Sequence, residues 1–187
     1  MNHLQSIKTI VLSLVFLISY TSCTKDDMGR DGNKAAITVS LKSNLSEYSD
    51  VYFDIEDVQV KVKEDGNLSN AWVSLNAINT GTHNVSELRS DSELLLVDHF
   101  EVNPTYIYEV RLVLGDNNFM NINNTLVNLD ITSSGNGSPS NLIKRDFEAS
   151  YIYQLEINID IDESVSFSED ENMMILNPKL YTEIRKF

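Results

Sequence analysis

Hydrophobic and polar residues alternate with a period of two along most of the chain after residue 34. This period places every second side chain on the same face of a β-strand, so each segment predicts a strand with one buried and one wet face. No window keeps a helical period. The clearest strand segments are residues 37–41, 51–63, 71–75, 106–114, 151–161 and 175–187. Many short strands separated by turn residues predict an all-β fold, an antiparallel β-sandwich.

One of these segments, residues 51–63, changes its buried phase partway along. Its apolar residues fall first on odd and then on even positions, namely Val51, Phe53, Ile55, Val58, Val60 and Val62. Both sets face the same core only if one extra residue interrupts the pleat. We therefore predict a β-bulge near Glu56 and Asp57.

Turn residues separate the remaining strand segments. Residues 64–67, Glu-Asp-Gly-Asn, predict a hairpin that returns with Trp72, which we interpret as core or hairpin cover and not as a ligand platform. Residues 123–124 centre a weak hairpin, and residues 93–97 fit a strand and a single helical turn equally. Pro178 cannot donate a ladder hydrogen bond, so it predicts an edge strand or a kink in the last segment.

The tyrosines divide into two groups. Four of them share a phase with the aliphatic core residues of their strands and are predicted to pack inside, namely Tyr106, Tyr108, Tyr151 and Tyr153. Tyr48 and Tyr52 are freer, and they are the candidates for stacking against a sugar or another ligand.

The N-terminus predicts export. Lys8 is followed by an apolar stretch at residues 10–18, too short to span a bilayer, and then by small residues and Cys23, the only cysteine. This order resembles a bacterial lipoprotein signal, although Tyr20 stands where a Leu-like residue is usual. The resemblance implies cleavage before Cys23 and lipid, palmitate included, on Cys23. We expect a signal peptide at residues 1–22, a flexible acidic tether at residues 23–34 and a single β-sandwich domain at residues 35–187.

The residues after the cysteine contain a candidate localisation signal. Lys25, Asp26 and Asp27 resemble the lysine-plus-two-acids signal that sends Bacteroidetes lipoproteins to the outer face of the outer membrane. The alternative is a solvated tether. The expected localisation is the outer membrane, lipid-anchored and exposed on the cell surface.

The net charge of the chain disfavours two classes of binding partner. The net charge is −14, and it becomes −15 when Lys8 is removed with the signal, since 13 basic and 28 acidic residues remain. Such a chain repels phosphate backbones and anionic membrane surfaces, so we predict no nucleic-acid partner and anchoring through the lipid on Cys23. A lone lipidated cysteine leaves no disulfide, so core packing must hold the fold.

Catalytic arrangements are scarce in the mature chain, which keeps only His83 and His99 and no free cysteine. Asp98 and His99 are adjacent, so on a regular strand their side chains point to opposite faces. We predict that the protein is not an enzyme. A glycosidase pair among the many carboxylates is the lesser alternative.

Residues 160–164 are similar to the opening of a calcium loop, because hard cations prefer clustered oxygen ligands. Strand alternation places Asp160 and Asp162 on one face, but Val165 stands where an EF-hand needs Gly. A solvated acidic strand end is the favoured interpretation. We predict no cofactor, with calcium as the alternative.

Residues 111–118, Arg-Leu-Val-Leu-Gly-Asp-Asn-Asn, resemble a family of uncharacterised bacterial lipoprotein domains known only as a domain of unknown function. Residues 53–60, 72–75 and 160–162 support the resemblance, which runs from Ala36 to Leu180. It implies an immunoglobulin-like or prealbumin-like sandwich with no assigned catalytic residue. Where family members usually carry Pro-Ser-Gly and then Gly-x-Lys, this chain has Ser-Ser-Gly at residues 133–135 and Leu-Ile-Lys at residues 142–144.

The expected function is a lipid-anchored extracytoplasmic binding or assembly module for an unknown protein or glycan ligand. A binding module needs an exposed aromatic pair. The alternative, a structural or adhesive surface subunit, needs an open edge strand or an apolar patch. A glycan-active enzyme, the weakest expectation, needs polar groups that converge in a pocket.

Overall fold

Thirteen β-strands make up most of the part of the chain that the computed structural model describes, which is residues 32–44, 46, 48, 50–89, 91–131 and 137–187. The predicted signal peptide, Cys23, Lys25, Asp26 and Asp27 lie outside the described residues. The strands are β1 (Ala35–Ser43), β2 (Val51–Lys61), β3 (Trp72–Ser74), β4 (Gly81–Asn84), β5 (Leu94–Val102), β6 (Thr105–Leu114), β7 (Phe119–Ile122), β8 (Thr125–Asn128), β9 (Ser140–Phe147), β10 (Ile152–Asp160), β11 (Val165–Ser168), β12 (Met173–Leu176) and β13 (Lys179–Lys186).

Helical structure in the described ranges is short. A 3-10 turn covers Val85–Glu87 and a four-residue helix, α1, covers Ile161–Ser164. No helix among the described residues is both long enough and apolar enough to cross a membrane.

Two main sheets form the sandwich, and β11 pairs antiparallel with β12 in a separate two-stranded sheet. The smaller of the two main sheets has the strand order β13-β10-β1-β5. β1 pairs in parallel with β10, from Ala36 opposite Ile152 to Ser43 opposite Ile159, and antiparallel with β5. β10 pairs antiparallel with β13. The all-β sandwich prediction is confirmed, and among the named strand pairs only β1 with β10 is parallel.

The larger sheet is built around β2. Tyr52 pairs with β4 on one side and with β7 on the other, and Gln59 likewise lies between β3 and β6. β3 and β4 therefore occupy one side of β2, and β6 and β7 occupy the other. β9 pairs with the outer side of β6, and β8 pairs with the outer side of β7.

The hydrophobic core lies between the two sheets. Residues Gly32–Phe187 form one compact unit, and the apolar residues described in its core lie between Ala35 and Ile184. Phe147 of the larger sheet stacks on Tyr153 of the smaller one, with ring centroids 4.1 Å apart. Tyr153 is fully buried, as the alternating pattern predicts.

The predicted bulge in β2 is confirmed. Ile55 pairs with Leu114 of β6, but the next paired residue, Asp57, already faces Val113, so Glu56 is the extra residue and is exposed. Val58 and Val60 consequently return to the buried face.

A second phase change, in β6, makes one prediction wrong. Ile107 is buried and so is Val110, which is three positions later, whereas Tyr106 is 37% exposed. From Ile107 to Glu109 β6 advances two residues, whereas their partners in β9, Arg145 and Leu142, are three residues apart. The extra residue therefore lies in β9, where Lys144 has a φ of +48°. This irregularity turns Tyr106 and Tyr108 away from the core.

Tyr151 is the other tyrosine that the packing prediction misplaced. It precedes β10 and is exposed. The Lys186 ammonium lies 3.7 Å from the centre of its ring. Alternation predicts a buried side chain only while the strand continues, and β10 begins at Ile152.

Three of the turn and edge predictions have clear outcomes. Residues 123–124 join β7 to β8 and have φ values of +52° and +64°, as a tight type I′ hairpin requires. Residues 94–97 belong to β5, so the strand alternative is correct. Pro178 precedes β13, an edge strand of the smaller sheet, which confirms the edge prediction.

Asp98 and His99 do not point to opposite faces, so that expectation is wrong. The register of β5 against β1 shifts beside Val39, and His99 has a φ of +48°. The rotated backbone brings the Asp98 carboxylate onto His99 Nδ1, and both side chains are exposed.

Candidate binding groove

The acidic strand end has a structural role. Asp160 is the N-cap of α1, and its Oδ1 accepts a hydrogen bond from the Glu163 backbone N–H at 3.0 Å. Asp162 Oδ1 accepts from Ser46 Oγ at 2.5 Å. Because α1 begins at Ile161, the two carboxylates belong to different elements. Among the described residues, no three His, Cys, Asp or Glu side chains group closely enough to hold a metal ion.

The two predicted stacking tyrosines, Tyr48 and Tyr52, line neither of the two grooves described below. Tyr48 is half-buried and packs against the core. Tyr52 stacks on Phe119, with ring centroids 4.7 Å apart and an interplanar angle of 18°. A neighbouring ring therefore covers one face of Tyr52.

Tyr106 and Tyr108 form the aromatic wall of a groove on the outer face of the larger sheet. Their ring centroids are 4.8 Å apart and the rings meet edge to face, at 65°. Leu142, which is 68% exposed, adds an aliphatic side chain from β9. The groove has a volume of about 320 Å³. We call it the tyrosine groove.

Charged side chains complete the lining of the tyrosine groove. They are Lys61, Glu64, Glu109 and Lys144. Lys61 Nζ lies 2.8 Å from Glu109 Oε1, and Ser140 Oγ donates to Glu109 Oε2 at 2.9 Å. Both signs of charge are therefore present around one apolar wall.

The ion pair keeps Glu109 ionised. Burial raises the pKa of its carboxyl, but the hydrogen bonds from Lys61 and Ser140, together with the charges of Lys61 and Arg111, outweigh burial and hold the pKa below its ordinary value of 4.5. At neutral pH Glu109 is an acceptor that is already oriented by two donors.

Trp72 extends the same face away from the groove. The Arg111 guanidinium lies 3.9 Å from the centre of its ring, and Arg111 Nε donates to Gln59 Oε1 at 3.0 Å. Burial lowers the pKa of Arg111, and the charges of Asp57 and Glu109 oppose that change. Trp72 is thus hairpin cover, as predicted, because Arg111 occupies its ring face.

A second groove, of about 350 Å³, lies beside the start of β13. We call it the Tyr181 groove, and it is lined by Pro139, Ser140, Glu163, Asn177, Pro178, Lys179, Leu180 and Tyr181. Tyr181 is 52% exposed. The pKa of its hydroxyl is raised, and the negative charge of Glu163 contributes most to that change. This groove contains one aromatic ring instead of two.

The Gly-Asp-Asn-Asn loop at residues 115–118 has a structural explanation. The Gly115 N–H donates to the Asp54 carbonyl at 2.8 Å, and Asn118 Oδ1 accepts from the Asp54 N–H at 2.9 Å. Asn118 is buried, and its Nδ2 also donates to the Gly115 carbonyl at 2.7 Å. The loop therefore carries the chain from β6 to β7 while both strands stay paired with β2.

Sequence reasoning missed the tyrosine groove for an identifiable reason. Tyrosine counts as apolar in an alternating pattern, so Tyr106, Tyr108 and Val110 appear to continue one buried phase. The available signal was Ile107, an aliphatic residue in the opposite phase.

Comparison with known proteins gives one match. Residues 34–178 match the family described as a domain of unknown function, DUF4382. Searches of curated proteins and of solved structures each returned no match. The matched residues include the loop at residues 115–118 and the whole lining of the tyrosine groove, whereas Lys179, Leu180 and Tyr181 of the other groove lie beyond the match. Since the match covers well over half of the 187 residues, the chain belongs to the DUF4382 family.

Proposed function

We propose that the protein is a lipid-anchored extracytoplasmic module that binds a neutral saccharide in the tyrosine groove. The observation that supports this proposal is the edge-to-face pair of Tyr106, which is exposed, and Tyr108, which is half-buried, beside oriented charged groups. A binding module needs an aromatic pair at its surface, and the sequence pattern alone does not locate this one.

The chemistry of the groove favours a sugar. A pyranose ring presents apolar C–H faces and a rim of hydroxyl groups that both donate and accept hydrogen bonds. Tyrosine rings and Leu142 match the apolar faces, while Lys61 and Glu109 offer a donor and an acceptor to the hydroxyl groups. Few polar groups beside an apolar wall are typical of ligand sites.

The charge of the chain favours a neutral sugar. The mature chain carries 13 basic and 28 acidic residues, so its field repels an anionic polymer. The groove itself contains both signs of charge, and Lys61 is already paired with Glu109. A neutral saccharide incurs neither the repulsion nor the cost of breaking the ion pair.

The proposed location is the outer membrane surface of a Bacteroidetes-type cell. It is supported by the apolar stretch before Cys23 and by Lys25, Asp26 and Asp27 after it. The lipid on Cys23 supplies the membrane partner in this proposal.

An adhesive surface subunit is the second candidate. It is favoured by Leu126, which is among the most exposed apolar side chains described and lies with Ile122 on the β7–β8 hairpin. β8 is an edge strand, and an edge offers unpaired backbone groups to another chain.

Tyr106→Ala and Tyr108→Ala are each expected to weaken binding of a neutral oligosaccharide about tenfold, or about 1.4 kcal/mol, because each removes one ring of the aromatic wall. Ligands are chosen by screening an array of neutral glycans, and affinities are measured by calorimetry. Tyr181→Ala, an equal truncation in the other groove, is the control and should bind as the parent does. If the Tyr181 variant alone lost binding, the tyrosine groove would not be the site.

Cys23→Ser is expected to move the protein from the membrane fraction to the wash, because acyl chains supply the anchoring free energy, about 0.8 kcal/mol per buried CH₂. The measurement is fractionation of cells followed by a high-salt wash and immunoblotting. Retention of the serine variant in washed membranes would contradict the lipid anchor.

A further inference from the structure

We infer that the saccharide recognised by the tyrosine groove is carried by the membrane itself, as the headgroup of a neutral glycolipid in the leaflet that holds the anchor. This inference rests on the proposed function and names the source of its ligand. Five features support it, and they concern the end of the sandwich at which the chain enters.

The chain enters the sandwich at Gly32. The Gly32 carbonyl accepts a hydrogen bond from Ser150 Oγ at 2.6 Å, and the Lys34 carbonyl accepts from the Ser150 N–H at 2.8 Å. We call this the proximal end. β1, β6 and β10 begin there, and β2, β5, β9 and β13 end there, as their pairing registers require.

The tyrosine groove lies at the proximal end. Tyr106 is the second residue of β6 and pairs with Asp146, near the end of β9. Lys61 is the last residue of β2. The Tyr181 groove lies toward the other end, since Lys179 at the start of β13 pairs with Asp160 at the end of β10.

The predicted anchor keeps the proximal end near the bilayer. Nine residue steps separate Cys23 from Gly32. At no more than about 3.6 Å per residue, they reach at most about 32 Å. A groove within that reach meets sugars of the same leaflet at a high effective concentration, because the anchor holds both partners on one surface.

Charge is distributed unequally between the two ends. The proximal end, taken as residues 32–38, 61–72, 98–109, 142–154 and 185–187, carries seven basic and seven acidic side chains. The other described residues carry four basic and 17 acidic side chains, a net charge of −13. An anionic bilayer repels the residues of net charge −13 and exerts no net repulsion on the proximal end, whose charges cancel. This difference favours an orientation with the proximal end toward the membrane.

The tip of the proximal end resembles an interfacial surface. Tyr151 and Phe187 are exposed there, and the Lys186 ammonium lies over the Tyr151 ring at 3.7 Å. Aromatic rings and long basic side chains are the groups that settle at the headgroup level of a bilayer.

The test compares membrane-borne with free sugar. The unlipidated chain of residues 24–187, which keeps every described core residue, is floated with phosphatidylcholine vesicles that contain or lack digalactosyldiacylglycerol. The same disaccharide free in solution is titrated in parallel. We expect the glycolipid vesicles to bind at least tenfold more tightly than the free disaccharide.

Matched variants locate the contacts. Tyr106→Ala should lose binding in both formats, and Tyr181→Ala should lose it in neither. Tyr151→Ala and Lys186→Glu should weaken vesicle binding severalfold and leave binding of the free disaccharide unchanged, because they alter only the tip.

Each contrary result has a separate meaning. Equal affinity for the free and the membrane-borne disaccharide would overturn the inference and leave the proposed function standing. Equal binding to vesicles without glycolipid would also overturn the inference, since the lipid and not the sugar would be recognised. Failure to bind any neutral saccharide in either format would overturn the proposed function as well.

Discussion

Val60→Asp is expected to lower the free energy of unfolding by about 4 kcal/mol or more, enough to unfold a domain of ordinary stability. Val60 is 1% exposed and lies between Val73 of β3 and Val110 of β6. A carboxylate at this position has no cation inside the core to pair with among the described side chains, so its desolvation is not compensated.

Two matched substitutions control for the charge itself. Val73→Asp places the same side chain at the paired position in β3, where the valine is 38% exposed, and should cost less than about 1 kcal/mol. Gln59→Asp lies on the outer face beside Arg111 and should cost a similar amount. Denaturant midpoints of the three variants give the order. A loss for Gln59→Asp that equals the loss for Val60→Asp would contradict the phase that the β2 bulge sets.

Gly115→Ala is expected to cost about 2–3 kcal/mol, as overpacking of a tight site does. A Cβ at Gly115 would collide with Asp54 Oδ2, and it would lie 3.0 Å from both Asp54 Cγ and Glu56 Oε1. Asp54 is not free to move away, because its backbone bonds to Gly115 and Asn118 and its Oδ2 accepts from the Asn117 N–H. Thermal or denaturant unfolding measures the loss.

A double-mutant cycle tests that cause. An Asp54→Ala background removes the nearest obstacle, and the remaining near atom, Glu56 Oε1 at 3.0 Å, ends an exposed side chain that can move aside. Gly115→Ala should therefore cost at least about 1 kcal/mol less there than in the parent. Gly66→Ala is the control, because its Cβ would come close to the flexible end of Lys61, at 3.1 Å, and would meet Trp72 Nε1 in ordinary contact at 3.7 Å. Additive losses from the Asp54 and Gly115 changes would show that the carboxylate is not the obstacle.

Local signals in the sequence predicted the features that are encoded locally. The β2 bulge was visible because six apolar residues of one strand change phase around Glu56 and Asp57. The β7–β8 hairpin was visible because two consecutive asparagines tolerate the positive φ of its turn. Pro178 marked an edge because it lacks an N–H group.

Features that depend on partners remote in sequence were not predictable in this way. Nothing in residues 35–43 shows that β1 pairs in parallel with β10. The contact of Asp98 with His99 depends on how β5 shifts against β1, and the exposure of Tyr106 depends on how β6 shifts against β9. A periodicity argument treats each strand alone and assumes a regular register.

The candidate site also depends on residues that are remote in sequence. Lys61 and Glu109 are 48 residues apart, and only the pairing of β2 with β6 brings them together. The two tyrosines chosen from the sequence, Tyr48 and Tyr52, pack against the core and against Phe119. The sequence pattern predicts Tyr106 and Tyr108 in the interior, and it assigns no binding role to the other residues that line the tyrosine groove.

The position of β1 has a consequence for the order in which the chain folds. β1 is the first strand, yet it lies between β5 and β10, and Ala36 pairs with Ile152, which is 116 residues later. Closing so long a loop is slow, and the smaller sheet has no complete centre until β10 has been synthesised. The N-terminal part of the chain therefore has no finished fold during most of synthesis. This property would suit the export that we propose, because a translocation channel takes an extended chain.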